Sequence, residues 1–298
     1  MSRSNESKQA IRVQALSKSF GATQALSEVS FTVPYGSIFG FLGPNGAGKT
    51  TTIRCLMDFI RPSDGSITIM EQDAHDDSTA LKQSIGYLSS DSQLNLNWTA
   101  QEHIDFFESI KGRGKNRAKL VERLGLDTRS KVRALSSGNK QKLAIVLCFI
   151  GDPQLLIMDE PTRGLDPLLQ NVLYDILTGF VDSQKTVFFS SHNLTEVEHI
   201  CDSVLLIRNG RVVEEKTMDS IRDMKVHIVS ATASHGFDIK RLQALPNVQI
   251  MPGDKTTVNL KVKGDVNQTL TILLAEHLTD ISINHATLED VFLEQYRS

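Results

Sequence analysis

Long apolar runs, cysteines and a one-sided charge are scarce in this chain of 298 residues. The longest apolar stretch, Leu143 to Ile150, falls far short of the roughly 20 residues a membrane-spanning helix needs. The polar start, Met1 to Lys8, lacks the apolar core of a signal peptide, so a soluble, cytosolic chain is expected. Only Cys55, Cys148 and Cys201 carry thiols. They are too dispersed for a zinc site or a disulfide framework, which points to a reducing compartment. A formal net charge of −3 without a basic block gives no reason to expect a nucleic-acid partner. The most basic run, Lys111 to Arg117, reads as a solvated loop. What the chain does have is length and 40% hydrophobic residues, enough for one large core and a smaller second domain.

The segment Gly43-Pro-Asn-Gly-Ala-Gly-Lys49-Thr50-Thr51 fits the phosphate-loop pattern G-x-x-x-x-G-K-[ST]. Its surroundings fit as well. Ser37 to Leu42 reads as a buried strand, and Thr51 to Ile60 as a helix with Ile53, Leu56 and Phe59/Ile60 on one face. Gly43, Gly46 and Gly48 allow a tight turn whose N–H groups, with that of Asn45, point at phosphates. The helix N-terminus adds roughly half a positive charge. Lys49 is placed for the β/γ-phosphates and the Thr50 hydroxyl for Mg²⁺. The sequence is that of a nucleoside triphosphate binder.

A second half-site follows at Leu155-Leu-Ile-Met158, a run apolar enough to be a strand buried on both faces. It delivers Asp159 and Glu160 where a parallel sheet places its ligand crevice. Asp159 is suited to hold Mg²⁺. Glu160 is suited to polarise an attacking water, a role typically worth 10²–10⁴ in rate.

The order of phosphate loop, Leu135-Ser-Ser-Gly-Asn139, Leu155 to Glu160, Gly164-Leu-Asp166 and His192 resembles the nucleotide-binding subunit of an ABC transporter, from about Ile11 to Thr217. The resemblance implies an α/β fold: a P-loop NTPase core over residues 1–218, with a helical subdomain at about 91–131. It implies ATP and Mg²⁺ as ligands and Phe20 as the aromatic that stacks on adenine. Ser136, Ser137, Gly138 and Asn139 match the signature that, in a head-to-tail dimer, caps the γ-phosphate held by the other copy. There the helix starting near Lys140 aims its positive end at the phosphate. Asp166 matches the loop linking the two sites, and His192 the switch histidine. Implied partners are a second ATPase subunit, identical or different, and a separate integral membrane subunit. The chain would then work at the cytoplasmic face of the membrane.

Three positions depart from the family pattern. Ser137 and Asn139 replace a glycine and a glutamine of the signature, and Ser90 stands where a metal- and partner-sensing glutamine is usual, with Gln93 nearby. Slower hydrolysis is the expected consequence.

Short strands are expected within residues 11–40 and at 66–70, and a capping box at Thr99-Ala-Gln-Glu102 opens a helix bearing Ile104, Phe107 and Ile110 on one face. Trp98 suits either buried packing or a partner contact. Residues 219–298 read as a small α+β domain: strands Lys225–Ala231, Val248–Met251 and Val258–Val262, a turn at Pro252–Lys255, and a helix Gln268–Leu278. The closing Thr287 to Glu294 resembles the tail of exporter-type subunits, which favours export. Two alternatives remain: an ATPase of the same superfamily acting on a soluble assembly, and a sensor that binds ATP without hydrolysing it.

Overall fold

The computed structural model describes residues 9–223, 226–235, 237–251, 254, 256–285 and 287–288. In chain order the elements begin with strands β1 (Gln9–Phe20), β2 (Thr23–Pro34) and β3 (Ile38–Leu42). Helix α1 (Lys49–Leu56), strands β4 (Asp64–Ile69) and β5 (Gln72–Asp73), helix α2 (Ser78–Ser84) and strand β6 (Ile85–Leu88) follow. Then come helices α3 (Ala100–Lys111), α4 (Arg117–Arg123) and α5 (Ser137–Cys148), strand β7 (Leu155–Asp159) and helix α6 (Pro167–Val181). Strand β8 (Thr186–Ser191), helix α7 (Leu194–Ile200), strand β9 (Ser203–Arg208) and all but the last two residues of strand β10 (Arg211–Thr217) complete the first unit, which ends at Glu215.

Two sheets make up this unit. An antiparallel one runs β2-β1-β4-β5, and a six-stranded one runs β10-β9-β3-β8-β7-β6, with β3, β6, β7, β8 and β9 parallel. Every residue of β3, β7 and β8 is buried, as expected for central strands of a parallel sheet covered on both faces. Aromatic rings join the sheets. Phe31 of β2 lies 5.8 Å from Phe39, 5.4 Å from Phe41 and 5.9 Å from Phe188. Phe39 and Phe41 share a strand face, and Phe39 is in register with Phe188. One apolar cluster therefore anchors β3 and β8 rigidly just below the ends that carry the site.

Several sequence-based expectations shift. The strands within 11–40 include two twelve-residue partners, β1 and β2, longer than the short strands expected. α1 stops at Leu56 rather than Ile60 because Asp58 takes a left-handed conformation, φ 49°, and Phe59 turns out to solvent. On α3 the Thr99–Glu102 capping box is present in both directions. Ile104 is buried and Phe107 half-buried, whereas Ile110 is 54% exposed. Trp98 is half-buried, edge-on to His103 and Phe106. The basic run is not simply solvated: the Lys111 ammonium donates to the Ile85 carbonyl at 2.6 Å, and burial lowers its pKa.

The second unit, from Lys216, contains helix α8 (Met218–Asp223), strand β11 (Val226–Ala233), helix α9 (Ile239–Gln243), strands β12 (Val248–Met251) and β13 (Thr257–Lys263), helix α10 (Asn267–Leu274) and strand β14 (Leu278–His285). Its antiparallel sheet runs β12-β13-β11-β14 over a core that includes Val229, Leu242, Leu260, Val262 and Leu273. α10 ends four residues early: His277 adopts φ 50°, and Leu278 begins a strand that sequence periodicity did not reveal. Lys225, most of the Pro252–Lys255 turn and most of the Thr287–Glu294 tail lie outside the described residues.

Candidate active site at the carboxyl edge of the parallel sheet

Strand register assembles the site. Leu42 of β3 pairs with Ser191 of β8, and Asp159 of β7 pairs with Ser190. Gly43, Glu160 and His192 therefore all emerge from neighbouring strand ends, where open α/β sheets bind ligands. A cleft of about 810 Å³ opens there. Asn45, Gly46, Gly48, Lys49, Thr50 and Thr51 line one side, facing Ser90, Glu160, Arg163 and His192.

The phosphate loop owes its shape to different properties of its glycines. Gly48, the residue before α1, has φ 111°, and a Cβ there would stand 2.7 Å from Leu26 Cδ2. Gly43 needs no left-handed backbone; a Cβ would approach the Ile207 carbonyl oxygen at 2.4 Å. The loop thus lies directly on the strand ends, with the Gly43 N–H donating to the Ser191 carbonyl at 3.2 Å.

The charged groups interlock. Lys49 is 6% exposed and donates to the Gly43 carbonyl at 2.6 Å and the Pro44 carbonyl at 3.3 Å, while its ammonium lies 3.3 Å from Glu160 Oε1. Glu160 Oε2 contacts His192 Nδ1 at 2.7 Å. Glu160 has φ 53°, a conformation that costs a non-glycine residue about 1–3 kcal/mol and is retained where the surroundings hold it. Here it points one carboxylate at both the Lys49 ammonium and the His192 ring. Fully buried Asp159 accepts from Thr50 Oγ1 at 2.8 Å and from Ser190 Oγ at 2.6 Å. Both of its oxygens are satisfied, as a buried carboxylate requires.

Other expected residues lie elsewhere. Phe20 is the last residue of β1, 50% exposed, with the Lys18 ammonium 5.1 Å from its ring; it does not line the cleft. Ser136 caps α5, which begins at Ser137 and not near Lys140; its oxygen accepts the Asn139 N–H at 3.2 Å. Asp166 caps α6, accepting from Leu169 N–H at 3.0 Å. Neither the Ser136–Asn139 segment nor Asp166 lines the cleft. Ser90 does, whereas Gln93 lines a separate groove with Phe59 and Tyr87. Sequence reasoning missed Arg163 and Ser190. A serine closing the apolar strand beside Asp159 was the available signal for Ser190; Arg163 had none.

The sequence model for ABC transporters matches residues 26–163. The Nod factor export ATP-binding protein I of Bradyrhizobium diazoefficiens is 31% identical over 248 residues, 81% of each chain. The chain belongs to the ABC transporter family. As an ABC subunit its activity is ATP hydrolysis. The bacitracin transport ATP-binding protein BcrA of Bacillus licheniformis is 35% identical over 71% of both chains. A solved ATP-binding subunit of an ABC transporter superposes with TM-score 0.67 at 30% identity, covering 72% of this chain and 92% of that one. Among the described residues of this ABC ATPase, no helix is long and apolar enough to cross a membrane.

Proposed function

We propose that this subunit hydrolyses Mg-ATP in the cleft as half of a head-to-tail dimer and drives export through a separate membrane-spanning subunit. The observation that carries the reading is the position of Glu160 between Lys49 and His192 at the cleft mouth. Lys49 already occupies an electronegative cradle of loop carbonyls, so phosphate oxygens can take over the counter-charge that Glu160 supplies. Glu160, relieved of that contact, accepts a proton from the attacking water. His192 orients the carboxylate through Nδ1. Arg163, on the same wall, adds positive charge where negative charge accumulates during phosphoryl transfer.

Mg²⁺ fits the residues present. Thr50 Oγ1 and Asp159 are hard oxygen donors within 2.8 Å of each other. Among the described residues no cluster of three or more His, Cys, Asp or Glu is placed to hold a metal, and Mg²⁺ typically takes one or two side chains plus substrate phosphates. When bound, it would neutralise charge on the β- and γ-phosphate oxygens.

The signature residues Ser136, Ser137, Gly138 and Asn139 lie away from their own chain's cleft, as they would if they served the partner's. The α5 amide groups and the Ser136 hydroxyl then supply donors to the far side of the γ-phosphate. Asp166 would report across the same interface, and Phe20 would stack on adenine. Export follows the roles of relatives in Nod factor export and bacitracin transport. The chain would sit peripherally on the cytoplasmic face of the membrane.

Tagged Glu160→Gln protein, recovered from detergent-solubilised membranes with ATP, tests the partnership. A stoichiometric multi-span protein among the co-purifying chains is expected. Recovery only with a soluble assembly would replace transport with the non-transport reading.

A further inference from the structure

Glu196 is the third residue of α7, the position from which a glutamate ordinarily folds back to cap its own helix. It does not do so here. The Asn193 N–H donates instead to Ser191 Oγ at 2.9 Å, and that hydroxyl donates to Glu196 Oε2 at 2.7 Å. The other oxygen, Oε1, is thereby left to accept from Thr162 Oγ1 at 2.8 Å, across 34 residues of sequence. Ser191 is fully buried and Thr162 is 4% exposed. Ser191 immediately precedes His192, and Thr162 lies two residues beyond Glu160. The same turn is held from a third direction by Gln141 of α5, whose Nε2 donates to the Pro161 carbonyl at 2.8 Å.

We propose that Glu196 is a positioning residue for hydrolysis, a strut that fixes the distance between Glu160 and His192 and ties the switch segment to the turn leading to Asp166. The inference rests on the roles given to Glu160 and His192 above. Helix capping alone would require neither the Thr162 bond nor its direction. The carboxylate spans two segments that each carry one member of the Glu160–His192 contact. Its loss lets them part without removing any group that touches nucleotide. A misplacement of about 1 Å at a reacting centre is enough to cost 10²-fold in rate.

The test is steady-state ATP hydrolysis by the full chain carrying Glu196→Ala, Glu196→Gln, Thr162→Val or the Glu196→Ala/Thr162→Val pair, with nucleotide affinity and Tm recorded. Glu196→Ala should lower kcat about tenfold or more with KM for ATP within about twofold. Glu196→Gln, which keeps one acceptor, should recover part of that loss. Thr162→Val should reproduce most of it, and the pair should be no slower than Glu196→Ala alone, because both remove one connection. Thr162→Val preserves side-chain volume, so it decides the matter even where Glu196→Ala fails to fold. Unchanged kcat in Thr162→Val, or kcat falling only together with nucleotide affinity and Tm, overturns the strut. Robust turnover in Glu160→Gln would overturn the underlying site roles instead, a separate and distinguishable failure.

Discussion

Glu160→Gln isolates the carboxylate's chemistry from its packing. Gln has the same volume and an oxygen that still accepts from Lys49 or His192, so the fold should persist. What disappears is the negative charge that faces the Lys49 ammonium, together with the basic oxygen. Loss of general-base help predicts a kcat lower by about 10²–10⁴, equivalent to about 2.7–5.4 kcal/mol in the barrier. Binding should change the opposite way. The Lys49–Glu160 contact of 3.3 Å is worth about 5 kcal/mol as bare attraction at an effective dielectric of about 20. Desolvation offsets most of that, leaving about 1 kcal/mol that ATP no longer has to displace. Nucleotide affinity should therefore hold or tighten by up to about tenfold. Phosphate release at saturating Mg-ATP and titration with a fluorescent ATP analogue measure the two quantities. Turnover within about threefold of wild type, or affinity lost in proportion to rate, would refute the reasoning.

Lys49→Ala should abolish measurable nucleotide binding without unfolding the chain; unchanged affinity in the same titration would contradict the phosphate-loop assignment. Burial pushes the Cys55 thiol up to about 11, the Cys148 thiol up to about 12 and the Cys201 thiol well above its ordinary value. At pH 8 the thiolate fraction of Cys55 is then about 10⁻³, so the native chain should alkylate at least about 10²-fold more slowly than an exposed cysteine. All three should label once guanidinium unfolds it. Thr99→Ala should cost about 1 kcal/mol by removing the cap of α3, read as a lower denaturation midpoint. The Glu102 carboxylate, held below its ordinary value of 4.5 by the Thr99 N–H and hydroxyl, stabilises the fold above that pH. That contribution is lost as pH falls through the depressed value, so the Thr99→Ala deficit should shrink in acid.

Much of the site could be read from the sequence because its chemistry is local in the chain. The phosphate loop concentrates turn, cation and hydroxyl in nine residues, and Asp159-Glu160 follow a strand whose apolar run marks burial. The capping box at Thr99 was legible for the same reason. Contacts across sequence were not. Nothing in the spacing of Thr162, Ser191 and Glu196 announces one shared carboxylate, and Arg163 reaches the cleft only because the turn after Glu160 directs it there. Asp166 and Ser136 were visible as motif members, but their present use as helix caps depends on where α6 and α5 begin. β14 escaped because Thr279, Asp280, Ser282 and Asn284 dilute its apolar pattern at an edge that exposes Ile281 and Ile283.

Mixing two inactive variants tests whether one chain's phosphate loop works with the other chain's signature. Lys49→Ala destroys the first and Gly138→Asp the second, placing a carboxylate where the γ-phosphate would be capped. Each alone should be inactive. An equal mixture should recover up to about a quarter of wild-type ATPase activity, since half the dimers then hold one intact composite site out of two. A mixture as silent as its components, or a Gly138→Asp variant active by itself, would contradict the account.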